Sequence, residues 1–147
     1  MDEKTKKVLG SLQGQCSKRE YCRSDIRAKA LKALVGDAAA ADAVLESLSA
    51  EGYVDDRRYA GAFARQKAAL DGWGPVKIRY ALKMKGIAAS DIDEALSSVD
   101  PDAAGQRMRK LLDAKARSLE GDPQARFKLI KYALSRGYEY EDVKNEF

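Results

Sequence analysis

"DDRRYAGAFARQKAALDGWGPVKIRYALKMKGIAASDIDEALSSV", residues 55–99, sets the pattern from which the rest of the chain can be read. Asp55 is suited to cap a helix in which Tyr59, Ala62, Phe63, Gln66 and Leu70 recur every three or four positions, an apolar stripe with polar flanks. Gly72 and Gly74 end that helix. Pro75 opens another, where a missing N–H is tolerated because first-turn donors have no partner within the helix. Ile78, Ala81 and Leu82 form the inward face of this second helix, while Arg79 and Lys83 share the outward one. Gly86 stops it, and Ser90 with Asp93 has the form of a capping box opening a third. Three short helices are predicted, and no alternating strand pattern competes in this stretch or elsewhere.

The punctuation recurs on both sides. "KGIAASDIDEAL" (85–96) lies over "RGYEYEDVKNEF" (136–147), with Asp91 and Ile92 on Asp142 and Val143 and Leu96 on Phe147. Asp100-Pro101 and Asp122-Pro123 each open a helix, and Gly137 ends the second of them. Toward the N-terminus, Ser24 is expected to cap "SDIRAKALKALVG", and "LVGDAAAADAVLESL" supplies a glycine followed by a short acidic run. Charge follows the same beat. Nine Lys or Arg face two acids from Lys4 to Val35, then Gly36 to Asp56 holds six acids and no cation. Eight cations face Asp71 alone from Arg57 to Ser90, and Asp91 to Asp102 holds five acids. Nine cations then face three acids up to Arg136, and the last eleven residues carry four acids against Lys144. A repeat of roughly fifty residues marks stacked supersecondary units. The expected fold is all-α: three tandem three-helix, helix-turn-helix-like repeats, at residues 1–54, 55–99 and 100–147, stacked into an elongated, curved body.

The totals exclude several classes of function. At 147 residues, 45% hydrophobic and 34% charged, the chain has material for a core beneath a heavily ionic surface. No run approaches the ~18 apolar residues of a membrane span, and "MDEKTKKVLG" lacks the apolar stretch of a signal peptide. A cytoplasmic monomer with no membrane association is the expectation. Histidine is absent, and Cys16 and Cys22, six apart in a segment that reads as helix, have no companions for a metal site. They are read as two reduced, partly buried thiols. With no phosphate-binding glycine loop, dinucleotide fingerprint or nucleophile–base constellation, neither catalysis nor a cofactor is expected.

What remains is the charge. Lys77, Arg79, Lys83 and Lys85 follow one another from residue 72 to 87 with no carboxylate among them. Their acids could lie in a neighbouring helix of the same unit, each exposed pair contributing about 0.2–1 kcal/mol. Alternatively, equivalent helices line up and one edge of the stack becomes cationic, able to track phosphates, while another becomes anionic. Base-edge readout is not expected at the helix that starts at Pro75, since Val76 and Lys77 stand where a recognition helix carries Arg, Asn or Gln. Trp73 is read as a packing residue at a unit boundary, with a base-stacking platform as the alternative.

The segment from Gly52 to Ile87 resembles the RecX family of recombinase regulators. The shared features are Gly52-Tyr53-Val54-Asp55-Asp56, then Arg58-Tyr59-Ala60, Arg65, Gly72-x-Gly74-Pro75, Ile78, Leu82 and Lys85-Gly86-Ile87. The resemblance is sharp in the middle unit and looser on both flanks. It implies a modulator of the RecA recombinase that lies in the groove of the RecA–DNA filament and restrains ATPase and strand exchange. The implied partners are that filament and single- or double-stranded DNA, bound weakly and without sequence preference. From charge position, the residues expected to contact filament or nucleic acid are Arg65, Lys67, Lys77, Arg79, Lys83, Lys85, Arg109 and Lys115. Tyr59, Gly74, Pro75, Ile78, Leu82, Gly86 and Ile87 are read as architectural. The competing reading is a freestanding DNA-binding protein that needs no recombinase.

Overall fold

The computed structural model describes residues 1–146, so the pairing of Leu96 with Phe147 lies outside the described residues. Helices α1 (Glu3–Lys18), α2 (Arg23–Ala33) and α3 (Ala38–Ala50) make a first bundle. A second follows from α4 (Asp56–Gln66), a π-helical turn at Lys67–Asp71, α5 (Pro75–Met84) and α6 (Ala89–Ser97). The third comprises α7 (Pro101–Ser118), α8 (Ala125–Ser135) and α9 (Tyr140–Val143), which runs into a 3-10 turn at Lys144–Glu146.

The helix starts show where local chemistry decides and where it is overruled. Asp55 caps α4 by accepting from the Arg58 N–H at 3.1 Å, and Asp100 caps α7 through the Asp102 N–H at 3.0 Å, ahead of Pro101. Ser24 does not cap α2: Cys22 holds that position, with no side-chain capping hydrogen bond. The orphan N–H of Arg23 finds its acceptor in the next bundle, Asp56 Oδ1 at 2.8 Å, and the Ser24 hydroxyl is turned to Lys85 O. Nor do Ser90 and Asp93 form a capping box, because α6 begins at Ala89 with Ala88 preceding it. The third bundle's middle helix starts at Ala125, two residues after Pro123; Asp122 accepts from the Gln124 N–H at 2.8 Å and from Lys128 Nζ at 2.6 Å. The single helix expected to carry both cysteines is broken between Arg19 and Cys22, leaving Cys16 on α1 and Cys22 at the start of α2. Both thiols are free.

Each bundle has its own apolar core. The middle helices bury equivalent pairs four residues apart: Ile26 and Ala30, Ile78 and Leu82, Leu129 and Ala133, none more than 6% exposed. In the second and third bundles a glycine in the left-handed region then turns the chain, and the next residue donates back to that helix: Ile87 to Leu82 O and Tyr138 to Ala133 O, both at 3.2 Å. The first bundle makes its turn differently, with Val35 itself at φ 53° and Gly36 bonding to Leu31 O at 2.8 Å. A β-branched residue is strained there, and Val35 is 81% exposed, so no packing compensates.

The bundles follow one another in series, and the extensive helix packing lies within a bundle or between the second and third. Two different joints connect them. At the first, Cys22 is fully buried in the second bundle's core, where desolvation pushes its thiol above the ordinary range. Around it Ser24 Oγ donates to Lys85 O at 2.7 Å, Lys85 Nζ meets Asp25 at 2.7 Å, and Arg58 Nε meets Glu20 at 2.9 Å. At the second joint the carbonyls that end the π-helical turn face the third bundle. Leu70 O accepts from Arg107 at 3.3 Å, Asp71 O from Arg136, and Gly72 O from the Tyr138 hydroxyl at 2.5 Å. Two guanidinium groups thus sit where a helix end concentrates negative potential. The main chain also links directly: the N–H groups of Gly74 and Val76 donate to Arg136 O at 2.8 Å and Gly137 O at 2.9 Å. The start of α5 is therefore satisfied by the end of α8. That contact needs bare backbone, since a Cβ on Gly74 would collide with the Gly137 carbonyl, and one on Gly137 would lie 2.6 Å from Lys77 N.

Candidate nucleic-acid interface

The four cations between residues 72 and 87 have four different fates. Lys77 lies with its ammonium 4.5 Å from the Trp73 ring centre. Arg79 reaches across to α6 and pairs with Asp93 at 2.9 Å. Lys85 is spent on the first joint, where the hydrogen bond to Asp25 raises its pKa. Lys83, exposed on the last turn of α5, makes no ion pair among the described residues.

The other expected contact residues are equally scattered. Lys67 pairs with Asp71 at 3.0 Å and stands 4.8 Å from the same Trp73 ring, so it, Trp73 and Lys77 form one cluster. Trp73 is half-buried against the second core and meets Phe63 edge-on, centroids 6.1 Å apart. Its π face is occupied by ammonium groups rather than left open for a base. Arg65 lies exposed on α4 and donates to Ser98 Oγ at 3.1 Å. Arg109 borders a solvent-filled groove of about 660 Å³ with Arg107 and Lys110, and Lys115 sits 5.3 Å from the Tyr132 ring centre. Arg79 and Lys83 share the outer face of α5, Lys67 and Lys77 flank Trp73, and the remaining four stand apart.

Neutralisation from the neighbouring helix is a real feature. In the first bundle Arg23 pairs with Glu46 and Arg27 with Asp42, and in the second Arg57 pairs with Glu94 and Arg79 with Asp93. Each joins an earlier helix to the third helix of its bundle. All four are solvent-exposed, so each adds little to stability. Each pair offsets part of its cation's charge while leaving the guanidinium at the surface.

Two features of this surface escape the charge count. One is apolar: Val76, Tyr80 and Met84 stand four apart along α5 and are 50%, 65% and 70% exposed, beside Arg79 and Lys83. Their spacing was visible, but nothing local distinguished an outward stripe from an inward one. The other is the second joint, whose Arg107, Arg136 and Tyr138 serve backbone carbonyls. The recurrent basic-Gly-apolar step at Lys85 and Arg136 was its only trace in the sequence.

Comparison with known proteins bears on the whole chain. Residues 55–96 match the family model described as RecX, second three-helix domain. The chain is 31% identical over 144 residues to the regulatory protein RecX of Prosthecochloris aestuarii, an alignment covering 97% of this chain and 93% of that protein. It is 32% identical to the regulatory protein RecX of Clostridium tetani over 106 residues, where it spans 48% of the relative's length. Among solved structures, a crystal structure of regulatory protein RecX superposes with a TM-score of 0.85 at 26% identity, covering 97% of this chain and 70% of that one. The crystal structure of RecX from Lactobacillus salivarius gives 0.80 at 17% identity, a likeness of fold over 99% of this chain and 95% of the other.

Proposed function

The chain belongs to the RecX family of regulatory proteins, and on that premise we propose that it is a negative regulator of homologous recombination and DNA repair. It acts in the cytoplasm on the RecA–DNA filament, binding in the groove and restraining ATP hydrolysis and strand exchange. The units that do so are residues 1–54, 55–99 and 100–147, each applied to successive parts of the filament. The observation that carries this reading is the serial order of three separately cored bundles, which gives a long body instead of a sphere. A long body reaches more than one protomer. On its middle bundle, α5 presents Val76, Tyr80 and Met84 beside Arg79 and Lys83, suited to a surface where protein and phosphate adjoin. Binding restrains the filament only if one filament state is bound better than another. A body bridging neighbouring protomers meets that condition when their spacing changes.

The test is DNA-dependent ATP hydrolysis by a cognate recombinase, titrated with this protein. Native protein is expected to lower the rate at substoichiometric amounts. The double variant R79E/K83E is expected to keep its helicity and to require on the order of fivefold more protein for half-inhibition, through lost attraction to the filament. Unaltered inhibition by the variant at physiological salt would remove this face from the mechanism. A gel shift with and without recombinase separates filament binding from a freestanding DNA binder.

A further inference from the structure

The first bundle holds a block of positive charge that neither the joints nor the ion pairs consume. Of the nine cations between Lys4 and Val35, Lys6 pairs with Glu3, Arg23 with Glu46 and Arg27 with Asp42. The other six, Lys4, Lys7, Lys18, Arg19, Lys29 and Lys32, are all exposed and make no ion pair among the described residues. The reason is the first joint: Glu20 and Asp25, the only acids of that segment, are turned toward Arg58 and Lys85 of the second bundle. Docking the bundles withdraws the counter-charge.

The six are also ordered. Lys4, Lys7, Ser11, Gln15 and Lys18 recur at three- and four-residue steps along one face of α1, about 21 Å of helix at ~1.5 Å per residue. Lys7, Ser11 and Gln15 of that face line a groove of about 580 Å³ together with Lys29 and Lys32 of α2 and the apolar Val8, Leu12 and Ala33. At the turn between the helices, Arg19 and Lys29 both lie against the Tyr21 ring, 4.5 and 5.1 Å from its centre, which brings Arg19 beside the α2 wall.

We propose that this α1–α2 groove is a binding site for the phosphodiester backbone of a nucleic-acid strand, separate from the α5 face. Cations on both walls of an open groove, Lys7 on one and Lys29 and Lys32 on the other, match a repeating anion better than a compact one, and the apolar lining accepts a sugar or the face of an unstacked base. The charged groups lining the groove are lysines, suited to phosphate, so binding is expected to be independent of sequence. The site is assayed on DNA alone, so its failure leaves the filament reading standing, and the converse also holds.

The experiment is fluorescence anisotropy of a labelled single-stranded oligonucleotide across a salt series, with K7Q/K29Q/K32Q compared against K110Q/R117Q/R126Q, which removes the same charge from the third bundle. The groove variant is expected to bind at least about tenfold more weakly near 0.1 M salt, with a log–log salt slope shallower by about 2 for three contacts at ~0.7 each. The third-bundle variant is expected to stay near native values. Equal losses in the two variants, an unchanged slope in the groove variant, or no DNA binding by the native protein would each overturn the site. Displacement by polyglutamate as effective as displacement by oligonucleotide of equal charge would reassign it to an acidic protein. Should the triple variant melt differently from native, the single variants must each flatten the slope by about 0.7.

Discussion

Replacing Gly74 with alanine is expected to pull the third bundle away from the second. The added Cβ would meet the Gly137 carbonyl and lie 2.5 Å from Tyr138 N, both main-chain atoms that cannot rotate aside. Relief requires the α5 start and the α8 end to part, which breaks the Gly74-to-Arg136 and Val76-to-Gly137 hydrogen bonds together. Overpacking of this kind costs about 2–3 kcal/mol, a large share of the ~5–15 kcal/mol that holds a typical native state together. In a serial array that loss falls at one interface, so the melt is expected to split. Calorimetry should show residues 100–146 melting about 10–20 °C below the rest. Gly137→Ala should act alike, with the added strain of a side chain at φ 93°. A single transition overlaying the native one in both variants would mean that the glycine contact does not carry the joint.

The second large effect is expected at Tyr138. Its ring is 7% exposed in the third core while its hydroxyl crosses to Gly72 O at 2.5 Å, so one residue serves both a core and a joint. Tyr138→Ala should cost about 3–5 kcal/mol through the cavity and the lost contacts. Tyr138→Phe should cost about 1–2 kcal/mol, because the Gly72 carbonyl is left without its donor. The pH dependence separates the two roles. Burial raises the Tyr138 pKa above its ordinary 10.0, so the folded state keeps a proton that the unfolded state releases. That contribution is complete below about pH 10 and is lost as pH rises through the folded value. Lys85, raised above 10.5 by Asp25, acts in the same direction. Urea titrations from pH 8 to 11 should show native stability falling above pH 10 and Tyr138→Phe falling less steeply. Parallel curves would show that the hydroxyl is not held neutral by its surroundings.

The helical order was legible in the sequence because glycine, proline and aspartate constrain the backbone within a few residues of themselves. Asp55, Asp100, Pro75 and Gly137 all stand at helix ends as their chemistry requires. Ser24 was misread because its hydroxyl is spent on Lys85 O of the second bundle, a partner no local window contains. The interface was harder for the same reason. The number of cations could be read directly, but whether each is free depends on partners far along the chain: Asp93 for Arg79, Asp25 for Lys85. Conversely, the nine-to-two excess between Lys4 and Val35 was plain from the start. Only the fold shows that both of its acids face away from the groove. The second joint left almost no sequence signal, because its acceptors are main-chain carbonyls, which every residue shares.

The two joints respond to different disturbances. One is ringed by pairs such as Lys85–Asp25 and Arg58–Glu20, which dissolved electrolyte weakens. The other holds no acid–base pair: amide, guanidinium and hydroxyl donors there all meet main-chain carbonyls, bonds that electrolyte weakens less. The molecule is consequently a lever of uneven stiffness, rigid toward its C-terminal arm and compliant near Cys22. Small-angle scattering at rising ionic strength should record flexure of the N-terminal arm alone.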